Sequence, residues 1–100
     1  MPTVISSFRD RGTENLFDGA DTPAARRRCP RPLWPVARRR LDLLNRVRDL
    51  RDLTFPPGNH LERLRGDRQG QHSIRINDQY RLCFRWEAGD AHDVEIADYH

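Results

Sequence analysis

The last third of this chain carries charged residues at spacings that suit phosphate chemistry. Arginines stand at Arg65, Arg68, Arg75, Arg81 and Arg85, inside the words Arg65-Gly66-Asp67-Arg68, Ser73–Asp78 and Tyr80–Trp86, and Asp98-Tyr99-His100 follows. A guanidinium keeps its charge at any ordinary pH and pairs bidentately with phosphate. Gly66 and Gly70 would let backbone N–H groups come close to an anion. A histidine titrates near neutrality and can hand a proton to a leaving oxygen. The chemistry this set can support is metal-free RNA cleavage. The RNA 2′-OH attacks the adjacent phosphate, arginines stabilise the added negative charge, and His100 is the acid. The base is left open between Asp98, Glu62 and Tyr99, since arginine keeps its proton.

Other chemistries find less support. His60, His72 and His92 show no ligand spacing with one another or with cysteine, and Cys29 and Cys83 lie far apart, so neither a metal nor a cofactor is expected. There is no Gly-rich nucleotide loop and no Ser or Cys nucleophile pattern. Cys83 sits within a strand-like run and reads as a buried thiol. Asp67 reads as a turn residue. All 18 basic residues are arginine, and the net charge of +3 with a pI near 9.5 favours anionic partners. The Arg26-Arg27-Arg28 triplet reads as a solvated charge run. The first residues lack the apolar core of a secretion signal, and no long apolar segment follows, so a cytoplasmic protein without a membrane anchor is expected.

These residues need a frame, and 100 residues allow a single domain, 1–100. Thr3 to Ile5 suggests a short strand. Ser7-Phe8-Arg9-Asp10 resembles a capping box opening a helix with Phe8, Gly12 and Leu16 on one face and Gly19 as its stop. Residues 20–32 read as a connection with one helical turn, because Pro30 and Pro32 forbid a continuous helix. A long helix is expected from Leu33 to Arg48, with Ala37, Leu41 and Leu44 as its apolar stripe. Beyond Phe55-Pro56-Pro57-Gly58-Asn59 the period changes to two. Leu61 and Leu64 open a strand, and residues 66–70 make a turn. Ile74 and Ile76 alternate up to a hairpin at Asn77-Asp78, and Val94 and Ile96 alternate in the last strand. Tyr80, Leu82, Phe84 and Trp86 point one way, and Arg81, Cys83 and Arg85 the other. Helices with one apolar stripe and a sheet with one apolar face cover each other, which is an α+β fold with the arginine face left exposed. Parity puts Tyr99 on that face and Asp98 on the core side, so Asp98 reaches the site only if the strand ends or bulges there.

The ordered set of words resembles the HigB-type toxins of the RelE/ParE superfamily, from bacterial type II toxin–antitoxin systems. The words are Ser7–Glu14, Ala37–Leu41, Pro56–Asn59, Leu61-Glu62 to Gly66–Arg68, Ser73–Gln79, Arg81–Trp86, and Asp93–Ile96 to Asp98-Tyr99-His100; residues 20–32 do not match. The resemblance implies a RelE-like fold: two or three N-terminal helices packed on one face of a mainly antiparallel sheet of four to five strands. It implies a ribosome-dependent mRNA endonuclease without cofactors, neutralised by a HigA-type helix-turn-helix antitoxin, and meeting operator DNA only through that complex. The family's functional positions fall on Arg65, Arg81, Asp98, Tyr99 and His100. Glu62 stands where some members place a histidine. Rival expectations are a non-cleaving relative that poisons gyrase, and a weakly active copy serving antitoxin binding and operon control.

Overall fold

The computed structural model describes residues 4–99. Its order is three helices, then four strands. Helix α1 spans Arg11–Phe17, α2 Pro23–Arg28 and α3 Trp34–Leu44. Strand β1 spans Glu62–Arg63, β2 Gln71–Arg75, β3 Tyr80–Glu87 and β4 Asp90–Asp98. The sheet runs β1-β2-β3-β4, with every neighbouring pair antiparallel. Among the described residues no helix is long and apolar enough to cross a membrane.

Local chemistry sets the helix ends. Asp10 caps α1 by accepting from Thr13 N at 2.7 Å. The box expected at Ser7–Asp10 is therefore displaced by three residues, and Ser7 Oγ instead accepts from Asp93 N at 2.9 Å. Thr22 caps α2 the same way, with Pro23 in its first turn. Helix α3 is shorter than its periodicity suggests. It stops at Leu44, because Asn45 turns its side-chain carbonyl to accept from Val4 N and Ile5 N at 3.1 and 3.0 Å. Val47 stays buried although it lies beyond the helix.

The core forms where the helix stripes meet one sheet face. Leu16, Ala37, Leu41 and Leu44 from the helices pack with Ile74, Leu82, Phe84, Val94 and Ile96 from the sheet. Each such leucine or isoleucine contributes roughly 1.5–3 kcal/mol by leaving water. Residues 4–9 lie parallel to β4 through isolated bridges, Ile5 to Ala91 and Phe8 to Val94. This extended segment, expected as a strand from Thr3, covers the β4 edge; Thr3 itself lies outside the described residues.

The second sheet face is not bare, contrary to what alternation implies. Beyond β1 the chain turns onto it: Leu64, Cys83 and Ala97 form a small buried cluster with Tyr99 at its margin, and Arg68 pairs with Glu95. Ser73 and Glu95 are buried on the same face.

Candidate active site

The turn after β1 carries the first site residues. Gly66, at φ +64, and Gly70, at φ +91, take left-handed conformations that favour glycine, so the chain doubles back within residues 66–70. The turn places Arg65, Asp67 and Arg68 beside the end of β4. There, with Asp98 and Tyr99, they line an open depression of about 340 Å³. Arg65 is exposed and joins no ion pair among the described residues.

Arg68 is held from beneath. Its Nη1 lies 2.5 Å from Glu95 Oε1 and 3.2 Å from Gln71 Oε1, and its guanidinium sits 5.9 Å from the centre of the Tyr99 ring. The bond to Glu95 raises the guanidinium further above its ordinary value. The same Glu95 oxygen lies 3.7 Å from Arg9 Nη1. The alternation of β4 holds through Tyr99, which lies on the arginine face; Cys83 Sγ donates to its hydroxyl at 3.8 Å. Burial is the main cause raising the Tyr99 phenol, and Cys83 adds to it against the opposing pull of Arg68 and Arg81. Tyr99 therefore keeps its proton at neutral pH.

Asp98 has core-side parity, pairing with Tyr80, but the strand ends there and the side chain reaches the depression. Its two oxygens accept from Gln79 Nε2 at 3.1 and 3.2 Å. Arg81 does not line the depression. It donates to Ser73 Oγ at 2.7 Å and to His60 O at 2.5 Å, with Glu62 Oε1 at 3.6 Å. Arg75 is tied to Asp78 in the hairpin, and Arg85 pairs with Glu87 and, at 2.9 Å, with Asp93. Both lie apart from the depression. His100 lies outside the described residues.

Of the residues singled out in the sequence, the structure thus brings Arg65, Arg68, Asp98 and Tyr99 together. It sets Arg81 and Glu62 next to each other on the same sheet face. Glu95 is missing from the sequence-based set, although alternation places a carboxylate opposite Cys83 in the middle of the arginine face. Nothing in the spacing points to Arg9, which arrives from the first residues of the fold.

An antiparallel sheet with helices packed on one face is the RelE-like fold. The fold is shared with the YoeB-YefM complex from Staphylococcus aureus, with a TM-score of 0.58 over 96% of this chain and 97% of that one, at 14% identity. Residues 6–100 match the HigB-like toxin family, described as the RelE-like toxin of the type II toxin–antitoxin system HigB. The chain is 36% identical to Toxin HigB-1 of Vibrio cholerae, over 84% of this chain and 85% of that protein. It is 29% identical to Endoribonuclease HigB of Proteus vulgaris, over 97% of this chain and all of that protein. This chain belongs to the HigB-like toxin family. Membership gives it an antitoxin as partner.

Proposed function

We propose that this toxin is an endoribonuclease that cuts mRNA on the ribosome and is restrained by a HigA-type helix-turn-helix antitoxin, through which alone it meets operator DNA. Residues 1–100 act as one cytoplasmic toxin domain. The observation that carries the reading is the depression itself, where Arg65 and Arg68, with Asp67 between them in the turn, stand beside the Asp98 carboxylate and the protonated Tyr99 phenol at the end of β4.

The reaction needs no co-reactant beyond the substrate. The RNA 2′-oxygen attacks the adjacent phosphorus as its proton leaves to a base, and the 5′-oxygen departs with a proton from an acid. The product is a cyclic phosphate. Arg65 and Arg68 grip the phosphate and offset its growing charge. Asp98 stands at the rim as a base, and Tyr99 and His100 supply donors. Glu62 is the second carboxylate available for proton transfer, 3.6 Å from Arg81. Arg81, anchored to Ser73 and His60, braces the sheet face outside the depression; Arg75 and Arg85 take outlying phosphates.

The test is mRNA cleavage in a reconstituted translation mix, mapped by primer extension. Asp98→Asn and His100→Ala each lower the cutting rate by about 10²–10⁴-fold, the usual loss on removing a general acid or base. Cutting at the wild-type rate in both overturns the site. Intact mRNA with broken DNA after induction overturns the activity in favour of a poison. Failure of a neighbouring helix-turn-helix protein to co-purify overturns the choice of antitoxin.

A further inference from the structure

A second depression lies across the helices, about 270 Å³ in volume and lined by Asp10, Arg11, Gly12, Ala24, Arg27 and Arg28. Its walls are α1 and α2, and α2 comes from the segment outside the family's words. The two helices approach until a Cβ at Gly12 would stand 2.4 Å from the Ala24 carbonyl oxygen. That closeness sets Arg27 and Arg28 across from Arg11.

The charges here are only partly paired. Arg26 and Arg31 share Asp21, at 2.6 and 2.7 Å. Arg28 has Asp10 at 3.3 Å, but that carboxylate also caps α1 and accepts from the Thr13 hydroxyl at 2.9 Å. Arg11 and Arg27 are exposed and join no ion pair among the described residues. Three guanidiniums therefore face one committed carboxylate. Arg9, next to Asp10 in the chain, reaches the Glu95 oxygen that also holds Arg68. Arginines thus run from Arg65 and Arg68 through Arg9 to Arg11 and Arg27, with Glu95 and Asp10 among them as the carboxylates that pair Arg68, Arg9 and Arg28.

We propose that the α1–α2 groove is a second RNA-phosphate site, holding the backbone of RNA next to the cleavage depression. The inference rests on the endoribonuclease reading for its position and deepens it. Guanidiniums on two packed helices suit bidentate phosphate contacts. The groove has no exposed aromatic or large aliphatic side chain, so it lacks the anchor that a protein partner would fill. It also lacks a platform for bases, so it reads backbone and not sequence. The RNA strand comes from one of two sources: mRNA continuing from the cleavage depression, or the ribosomal RNA beside it.

The test measures binding, not cutting, so that it survives a failed nuclease assay. The probes are uncleavable 2′-O-methyl oligouridylates, one just covering the cleavage depression and one long enough to reach the groove, and purified ribosomes. The double variant Arg11→Ala/Arg27→Ala is compared with wild type and with Arg11→Lys/Arg27→Lys. If the groove takes mRNA, the alanine variant binds the long oligomer about tenfold more weakly and the short one as before. Its slope of log K against log salt drops by about 0.7 for each phosphate that is no longer gripped. If the groove takes ribosomal RNA, the same weakening appears with ribosomes and not with oligomers. In both cases the lysine variant recovers part of the affinity, since it keeps the charge. Unchanged affinity and slope for all three probes overturn the proposal, as does a weakening confined to antitoxin binding. A wild-type protein that binds in this pattern but cuts no RNA would sink the nuclease reading and leave the groove standing.

Discussion

Glu95 joins three distant parts of the chain, since one of its oxygens meets both Arg68 and Arg9 while the side chain is only 9% exposed. Removing one partner of a fully buried ion pair costs roughly 3–5 kcal/mol. Arg68 retains contact with water, so Glu95→Ala is expected to cost about 1–3 kcal/mol in urea unfolding and to slow RNA cleavage as Arg68 loses its support. A second residue gives a pH signature. Burial pushes the Cys29 thiol up to about 11 from its ordinary 9.0. The unfolded chain therefore releases this proton first. The stability it contributes is whole below pH 9 and is lost as pH climbs to about 11. Urea midpoints should fall across that window, and Cys29→Ala should remove a part of the fall worth about 2 kcal/mol. Cys83 and Tyr99, also raised by burial, keep the remainder. At this scale Tyr99, Cys83 and Glu95 can be placed on one face by counting alternate residues. Arg9 cannot, because it reaches the site only through tertiary packing of residues 4–9.

The elements show where local reading runs out. Alternation in β3 survives in the fold because a one-residue slip would turn Leu82 and Phe84 to the wrong face; in β4 a bulge opposite Cys83 and Arg85, with Asp93 at φ +53, resets it, so that Ala91 and Val94 both reach the core. The hairpin at Asn77-Asp78 also holds, with Asn77 Oδ1 accepting from Gln79 N and Tyr80 N at 2.9 and 2.7 Å. The ends of α1 and α3 depart from the local pattern since distant partners decide them: Asp93 takes Ser7, and Val4 and Ile5 take Asn45. Asn45→Ala strands the Ile5 amide, while Val4 N keeps the Asn45 main-chain carbonyl at 3.2 Å, and should lower stability by about 1–3 kcal/mol in chemical denaturation. Gly12→Ala runs against the usual gain from replacing a helical glycine. The new Cβ meets the backbone of α2, which cannot give way as a flexible side chain would. We expect a loss of about 1–3 kcal/mol by thermal unfolding. Weaker binding of long RNA should accompany it as the helices part.

Over the whole molecule, composition and the change of period from 3.6 to 2 are enough to foresee helices on one face of an antiparallel sheet. The cover on the opposite face is hidden, because residues 64–70 contain one large apolar side chain, Leu64, and Arg68 is held there by Glu95 from the far end of the chain. Among the described residues Phe55 is the large apolar residue the fold leaves out, at 75% exposure. Phe55→Ser should therefore change the folding free energy by no more than about 0.5 kcal/mol, a null result checkable by the same denaturation curve. The bridges from Ile5 and Phe8 to β4 have a consequence for synthesis. The first-made segment docks on the last-made strand, with Ser6 N and Arg9 N donating to Ala91 O and Val94 O at 2.8 and 3.0 Å. Asp98 and Tyr99 come later still. A nascent chain therefore cannot close this edge until residues 90–99 have emerged, and residues 4–9 wait for their partner until nearly all of the described chain has been made.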